Sequence, residues 1–377
     1  MLWELTSDQE FFRQTTAKFL ADQVPVDVLR RLRDDAVGYP ERYWERGAEL
    51  GWTSLLVDES HGGGTISGEG IIDLTVIAYE FGSHAAPGPL ATTNIVAGAL
   101  STAGSCTDAL DSIAAGTELA SWCLEEPGTR ASLTDVSLDI RADGSDVVLS
   151  GVKQPVESAD QTSHLLVTGR TGSGVTQVLV PTNSPGVTIT PLQNVDLTRR
   201  FSTVRFDDVR VPQDRVVGEI GGAAEQIERQ FLISALLAAV ESVGAMQTVF
   251  DLTVQWAFDR YSFGRPLASY QALKHRFADM MTWLQVSHAL SDTAAAAVQA
   301  GRNDAAELVS AAKAYTGHYG SELMHDCVQM HGGIGVTFEH DIHLYLRRQT
   351  LNRSLHGTPA QHRQRIVEAM EREKNAA

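Results

Sequence analysis

Cysteine is scarce. There are three in 377 residues, Cys106, Cys123 and Cys327, far apart and with no C-x-x-C pair. That excludes a disulfide framework and a cysteine zinc site, and it points to buried thiols in a reducing compartment. Positive charge is short too: 30 Lys and Arg stand against 47 Asp and Glu, a formal charge of −17. No nucleic-acid partner is expected, because no basic excess is available to neutralise phosphates. Any anionic ligand must be met by a local Arg cluster or by helix N-termini, against the mean field. The one triple glycine, Gly62-Gly63-Gly64, lacks P-loop spacing and has no lysine after it, so it reads as a flexible connection. No apolar run is expected to approach a membrane span, and the acidic amphipathic N-terminus has no signal-peptide core. A cytosolic protein is expected. No internal repeat or low-complexity tract occurs.

What is present falls into three textures. Residues 1–116 read as a helical domain. Ser7 and Glu10 have capping-box spacing, and apolar residues recur at helical intervals through 71–81 and 89–103. Over 117–222 Val, Thr and Ser dominate in alternation, with Asp143-Gly144 and Gly172-Ser173-Gly174 as hairpin signals, which predicts an antiparallel β domain. From 223 to 377 the pattern is helical again. Phe231 to Phe258 is apolar on nearly every side, as in a helix buried within a bundle. The chain is long enough for such a multidomain α+β arrangement, and the C-terminal part is expected to be a four-helix bundle.

The most informative stretch is 250–280. A long helix ends, a polar break follows at Arg260-Tyr261-Ser262-Phe263-Gly264-Arg265-Pro266, and a second helix begins. Gly264 and Pro266 interrupt the apolar pattern as a turn should. Gln271, His275 and Asp279 follow at intervals of four and share one face. A guanidinium fork suits a phosphate, and an exposed aromatic face suits a base. That is half of a dinucleotide site. Some sixty positions on, Gln329-Met330-His331-Gly332-Gly333-Ile334-Gly335 closes another helix with glycines that let a ligand approach the backbone.

Together these segments resemble the flavin-binding signature of the acyl-CoA dehydrogenases, R-x-x-F-G with a later Q-x-x-x-H-x-x-A-D, and the family's Q-x-x-G-G-x-G. The resemblance covers the whole chain, including the α, β, α order. It implies FAD as cofactor, an acyl-CoA substrate, a 2,3-enoyl-CoA product and an electron-transfer flavoprotein or similar acceptor. It also implies that Arg260, Phe263, Gln271, Gln329, Gly332 and Gly333 grip the nucleotide end of a neighbouring subunit's FAD.

The departures from the family pattern are equally specific. The family places a base Glu either just before a Gly-Thr near the C-terminus or on the first helix of the C-terminal domain. The first slot here is His356-Gly357-Thr358, where a solvated or structural imidazole is expected ahead of a base. The second holds Ser234, with Glu241 two turns further on. Glu241 is the candidate base, and its alternative is a carboxylate satisfied by an arginine or by backbone inside the bundle. In the β domain Glu125 stands in a Thr slot of Trp122-Cys123-Leu124-Glu125-Glu126-Pro127-Gly128-Thr129-Arg130-Ala131. Gln154-Pro155-Val156-Glu157 replaces the segment that covers the flavin ring. Glu339 to Arg348 carries His340, Asp341 and His343, and is expected to knit bundle and subunit contacts; no metal site is expected.

An intact nucleotide grip beside an altered ring site resembles the actinobacterial steroid and bulky acyl-CoA dehydrogenases built as α2β2 heterotetramers. A homotetramer, or a non-catalytic subunit that completes a partner's FAD site, remain alternatives.

Overall fold

A computed structural model describes residues 4–32, 35, 37–128 and 132–376. Thr129, Arg130 and Ala131, part of the altered β-domain motif, lie outside the described residues. Helix α1 (Ser7–Gln23) is capped by Thr6: its hydroxyl accepts from the Gln9 amide, and the Gln9 side chain accepts from the Thr6 amide. The box expected at Ser7 and Glu10 is thus shifted by one residue, and Glu10 pairs with Arg13 at 2.8 Å. Helices α2 (Val26–Leu32), α3 (Tyr43–Glu49), α4 (Gly70–Ser83), α5 (Leu90–Ala103) and α6 (Thr107–Ala114) follow. Trp44, Trp52 and Phe81 pack ring to ring at 5.0–6.2 Å in their common core.

Strands begin at β1 (Ala120–Cys123). They continue through β2 (Asp139–Asp143), β3 (Asp146–Glu157), β4 (His164–Thr171), β5 (Gly174–Pro181), β6 (Val187–Leu192), β7 (Phe201–Pro212) and β8 (Val216–Val217). The sheet order is β6-β7-β3-β2-β4-β5-β8, with β1 also on β4. Most pairs are antiparallel, and β2–β3 and β4–β5 are the hairpins expected at Asp143-Gly144 and Gly172-Ser173-Gly174. The sheet is nevertheless mixed: β1 and β2 both run parallel to β4. Over a dozen residues of sequence separate β1 from β2, enough to carry the chain across before it pairs.

The third region holds α7 (Ala224–Asp259), a short ribbon of Tyr261–Ser262 and Arg265–Pro266, α8 (Gln271–Gln299), α9 (Ala305–His331), α10 (Ile342–Ser354) and α11 (Pro359–Ala376). Helix α7 packs against α4, α8, α9 and α10. By length and composition α7 could cross a membrane, contrary to the expectation from sequence; here 83% of its apolar window is buried inside the protein. The α4–α7 crossing depends on glycine. A Cβ on Gly82 would stand 1.9 Å from the Glu241 carbonyl oxygen, and one on Gly244 would stand 2.1 Å from that of Tyr79. The close approach fixes where the middle of α7 lies relative to the first helical region.

Candidate active site

A cavity of about 670 Å³ opens where the three regions meet. The β region contributes Trp122, Gln154, Pro155 and Glu157 from its strands and Glu125 and Glu126 from just beyond β1. Helix α5 adds Ala91 and Thr92, α7 adds Glu228, Phe231 and Ser234, and the α10–α11 turn adds Leu355, His356 and Gly357. The altered β-domain residues and the two slots without a glutamate therefore face one space. Thr92 accepts from the Trp122 amide at 2.6 Å, and the Trp122 indole donates to Thr168 at 3.3 Å, which fixes the floor.

Most of the carboxylates in the wall are tied down. Buried Lys153 donates to Glu126 at 2.7 Å and to the Leu124 carbonyl at 3.1 Å. Glu126 also accepts from the Ser137 and Leu138 amides. Partial burial works the other way, yet Lys153 and those amides hold Glu126 below the usual carboxylate range. Glu228 pairs with Arg365, and Glu157 takes the Arg199 Nε at 2.5 Å. Burial pushes Glu157 up despite that arginine.

Glu241 is absent from the cavity lining. It is 3% exposed and accepts from Arg199 Nη1 at 2.9 and 3.2 Å and from Asn352 at 3.3 Å, with Arg348 Nη1 at 3.6 Å. Arg348 in turn reaches Asp196 at 2.5 Å and the carbonyl of Ala86 at 2.9 Å. Five buried charges thus link α4's exit, the sheet, α7 and α10. The arginine-satisfied alternative describes Glu241 here: a carboxylate clamped by two guanidiniums and turned from the cavity is placed for structure rather than for proton abstraction. Ser234 donates its hydroxyl to the Gln230 carbonyl within its own helix.

The nucleotide-type residues assemble elsewhere. Trp256, near the end of α7, donates to the Met330 carbonyl at 3.2 Å and stacks on His331 at 5.3 Å. This joins the end of α7 to the end of α9, so Arg260, Phe263 and Gln271 share a surface with Gln329, Gly332 and Gly333. The Arg260 guanidinium lies 5.9 Å from the Trp256 ring centre. Phe263 is 98% exposed with a left-handed φ of 50°. A Cβ on Gly332 or Gly333 would meet nothing within 4 Å, so the backbone there is open to a ligand. Gln271 faces solvent beside His275 at 3.3 Å. Tyr261, Ile334, Val336 and Phe338 are exposed on the neighbouring segments. The would-be metal cluster is dispersed: Asp341 pairs with Arg30 at 2.7 Å, His343 stacks on Phe338, and His340 packs on His331.

Phe231, Lys153, Lys313 and His362 were not singled out in the sequence, and all four bear on the cavity. The only signals were a lone lysine in the alanine-rich 311–314 run and an aromatic opening an apolar helix.

The model of the acyl-CoA dehydrogenase N-terminal domain matches residues 6–109, and that of the C-terminal domain matches residues 222–371. Acyl-CoA dehydrogenase IpdE2 of Mycolicibacterium smegmatis is 26% identical over 364 residues, 96% of this chain and 98% of its own. The structure of the Tcur3481-Tcur3483 steroid ACAD superposes with a TM-score of 0.88 at 24% identity, over 98% of this chain and 99% of the other. A glutaryl-CoA dehydrogenase from Mycobacterium smegmatis in complex with FADH2 gives 0.87 at 20% identity, over 97% and 95%.

Proposed function

Because the chain belongs to the acyl-CoA dehydrogenase family, we propose that it forms a 2,3-enoyl-CoA from a bulky or branched acyl-CoA, with each FAD shared between two protomers. FAD supplies the hydride acceptor of the reaction. Arg260, Phe263, Gln271, Gln329, Gly332 and Gly333 hold the nucleotide end, and the cavity at the start of α7 takes the flavin ring and the thioester. Small wall residues, Ala91, Ser234, Ser354 and Gly357, leave width for a branched or ring-bearing acyl group. An electron-transfer flavoprotein or similar carrier reoxidises the enzyme. The three free thiols fit a cytoplasmic location.

The observation that carries this reading is a separation. At about 1.5 Å per residue, Ser234 in the cavity and Arg260 on the nucleotide surface lie about 39 Å apart along α7. One chain does not offer both ends of one dinucleotide. Two chains do, if the exposed surface of one covers the cavity of the other. Water-facing Phe263 and Val336 then become interface residues. The test is flavin content: Arg260→Ala and Phe263→Ser should lower FAD per chain at least tenfold and leave the far-ultraviolet dichroism unchanged. Full retention of FAD would count against the reading.

A second reading has its own support. Neither family slot for the base carries a carboxylate, Glu241 is ion-paired, and Glu125 and Glu157 replace hydroxyls around the ring. Such a chain suits the less catalytic member of an α2β2 pair, completing a partner's FAD site. Purified alone, it would then be colourless or insoluble, and co-expression with a related chain would restore the flavin.

A further inference from the structure

We propose that the His356 imidazole is the proton acceptor of the cavity, held in place by Lys313 and His362. The inference rests on the thioester reading above. It starts from the turn between α10 and α11. His356 has φ 53° and Gly357 has φ 100°. A non-glycine residue in the left-handed region costs free energy and persists only where its surroundings enforce it. Here they do. Lys313, 1% exposed, donates from Nζ to the Asn352 carbonyl at 2.5 Å and to the Gly357 carbonyl at 3.3 Å. His362, also 1% exposed, donates from Nε2 to the carbonyl of His356 itself at 2.9 Å. Thr358 and Gln361 close a reciprocal cap beside it.

Two buried donors thus serve a single exposed-side turn, and what that turn presents to the cavity is an imidazole. Its ring lies edge-on to Phe231 at 6.3 Å, and Ser234 stands one turn along the same face of α7. Phe231 is sandwiched further by His362 at 6.1 Å and by the Arg365 guanidinium at 4.9 Å. Burial holds His362 at about 3, so it stays a neutral donor and does not compete for the proton. Among the wall carboxylates, Glu126, Glu157 and Glu228 are each committed to a cation. Glu368, at the rim, accepts from Gln364 at 3.1 Å, and Glu125 is the carboxylate against which His356 is tested. An imidazole is suited to the task because its ordinary pKa lies near neutral pH.

The step is a proton transfer. A ring nitrogen of His356 takes a proton from the α-carbon of the thioester. In heavy water the imidazolium exchanges it and returns a deuteron, so one C–H bond breaks and one C–D bond forms with no change of oxidation state. Phenylacetyl-CoA is a suitable probe: it has an acidic α-methylene, and its β-carbon carries no hydrogen to lose. The full chain in its purified assembly is mixed with the probe, binding is measured by calorimetry, and loss of the α-methylene proton signal is followed by NMR. Wild type should bind and exchange well above buffer. His356→Gln should bind equally and lose exchange by about 10²- to 10⁴-fold, the usual worth of a general base. Whatever exchange Glu125→Gln retains should still depend on His356, so that adding His356→Gln to it removes the remainder. Lys313→Met should keep the binding constant and lose exchange about tenfold, a split that a merely structural lysine would not give. Exchange persisting in His356→Gln, or vanishing in Glu125→Gln alone, overturns the proposal. Binding without exchange in wild type overturns it while sparing the dehydrogenase reading, and no binding at all overturns both.

Discussion

Removing the Glu241 carboxylate would leave the guanidiniums of Arg199 and Arg348 without a shared counter-ion in a dry setting, although Glu157 and Asp196 remain. Breaking a buried pair from one side typically costs about 3–5 kcal/mol. Glu241→Ala is therefore expected to lower unfolding stability by about that much in urea titration, whether or not substrate is present. A variant as stable as wild type but inactive would return Glu241 to the list of bases. Lys313 gives a prediction with a sign. Burial holds it at about 7 in the folded chain, below the ordinary lysine value of about 10.4. The native state therefore binds this proton more weakly than the unfolded one. Stability falls as pH drops from 10 through 7, by an order of a few kcal/mol at about 1.36 kcal/mol per unit. Lys313→Met should remove that slope from the difference between urea titrations at pH 7 and pH 10. An unchanged slope would show that the lysine reaches water.

Among the elements, the α4–α7 crossing is the tightest constraint on the site. Gly244→Ala would push a methyl into the Tyr79 carbonyl. Overpacking of this kind costs about 1–3 kcal/mol, and thermal unfolding should show it as a lowered midpoint. No loss would mean that the helices can slide apart freely. The same crossing explains what could and could not be read from the sequence. Helices, hairpins and the Arg260–Gln271 break were legible because each is written in local period and turn chemistry, and the hairpin at Asp143-Gly144 is a clear case. The place of Glu241 was not. Its partners Arg199 and Asn352 are 42 and 111 residues away, and only the packed helices bring them together. The parallel β1–β4 pair was hidden for the same reason, since its register is set across 40 residues of intervening chain. His356 looked solvated because nothing nearby in sequence announces Phe231 or the buried Lys313.

At the scale of the whole molecule, the proposed function makes the chain one part of an assembly. Its cavity lies at the start of α7, the proposed nucleotide surface at the end, and apolar side chains such as Phe263 and Val336 are exposed there. With a net charge of −17, an anionic cofactor meets an unfavourable mean field, which the proposed contact with Arg260 would offset locally. The most direct test is sedimentation velocity of the purified full chain, followed at once in the protein band and in the flavin band, for wild type and for Arg260→Ala. Flavin absorbance is expected to travel only with dimers or larger species in wild type, and to vanish from every species in Arg260→Ala. Flavin sedimenting with a monomer, undiminished in Arg260→Ala, would contradict an FAD held between two protomers.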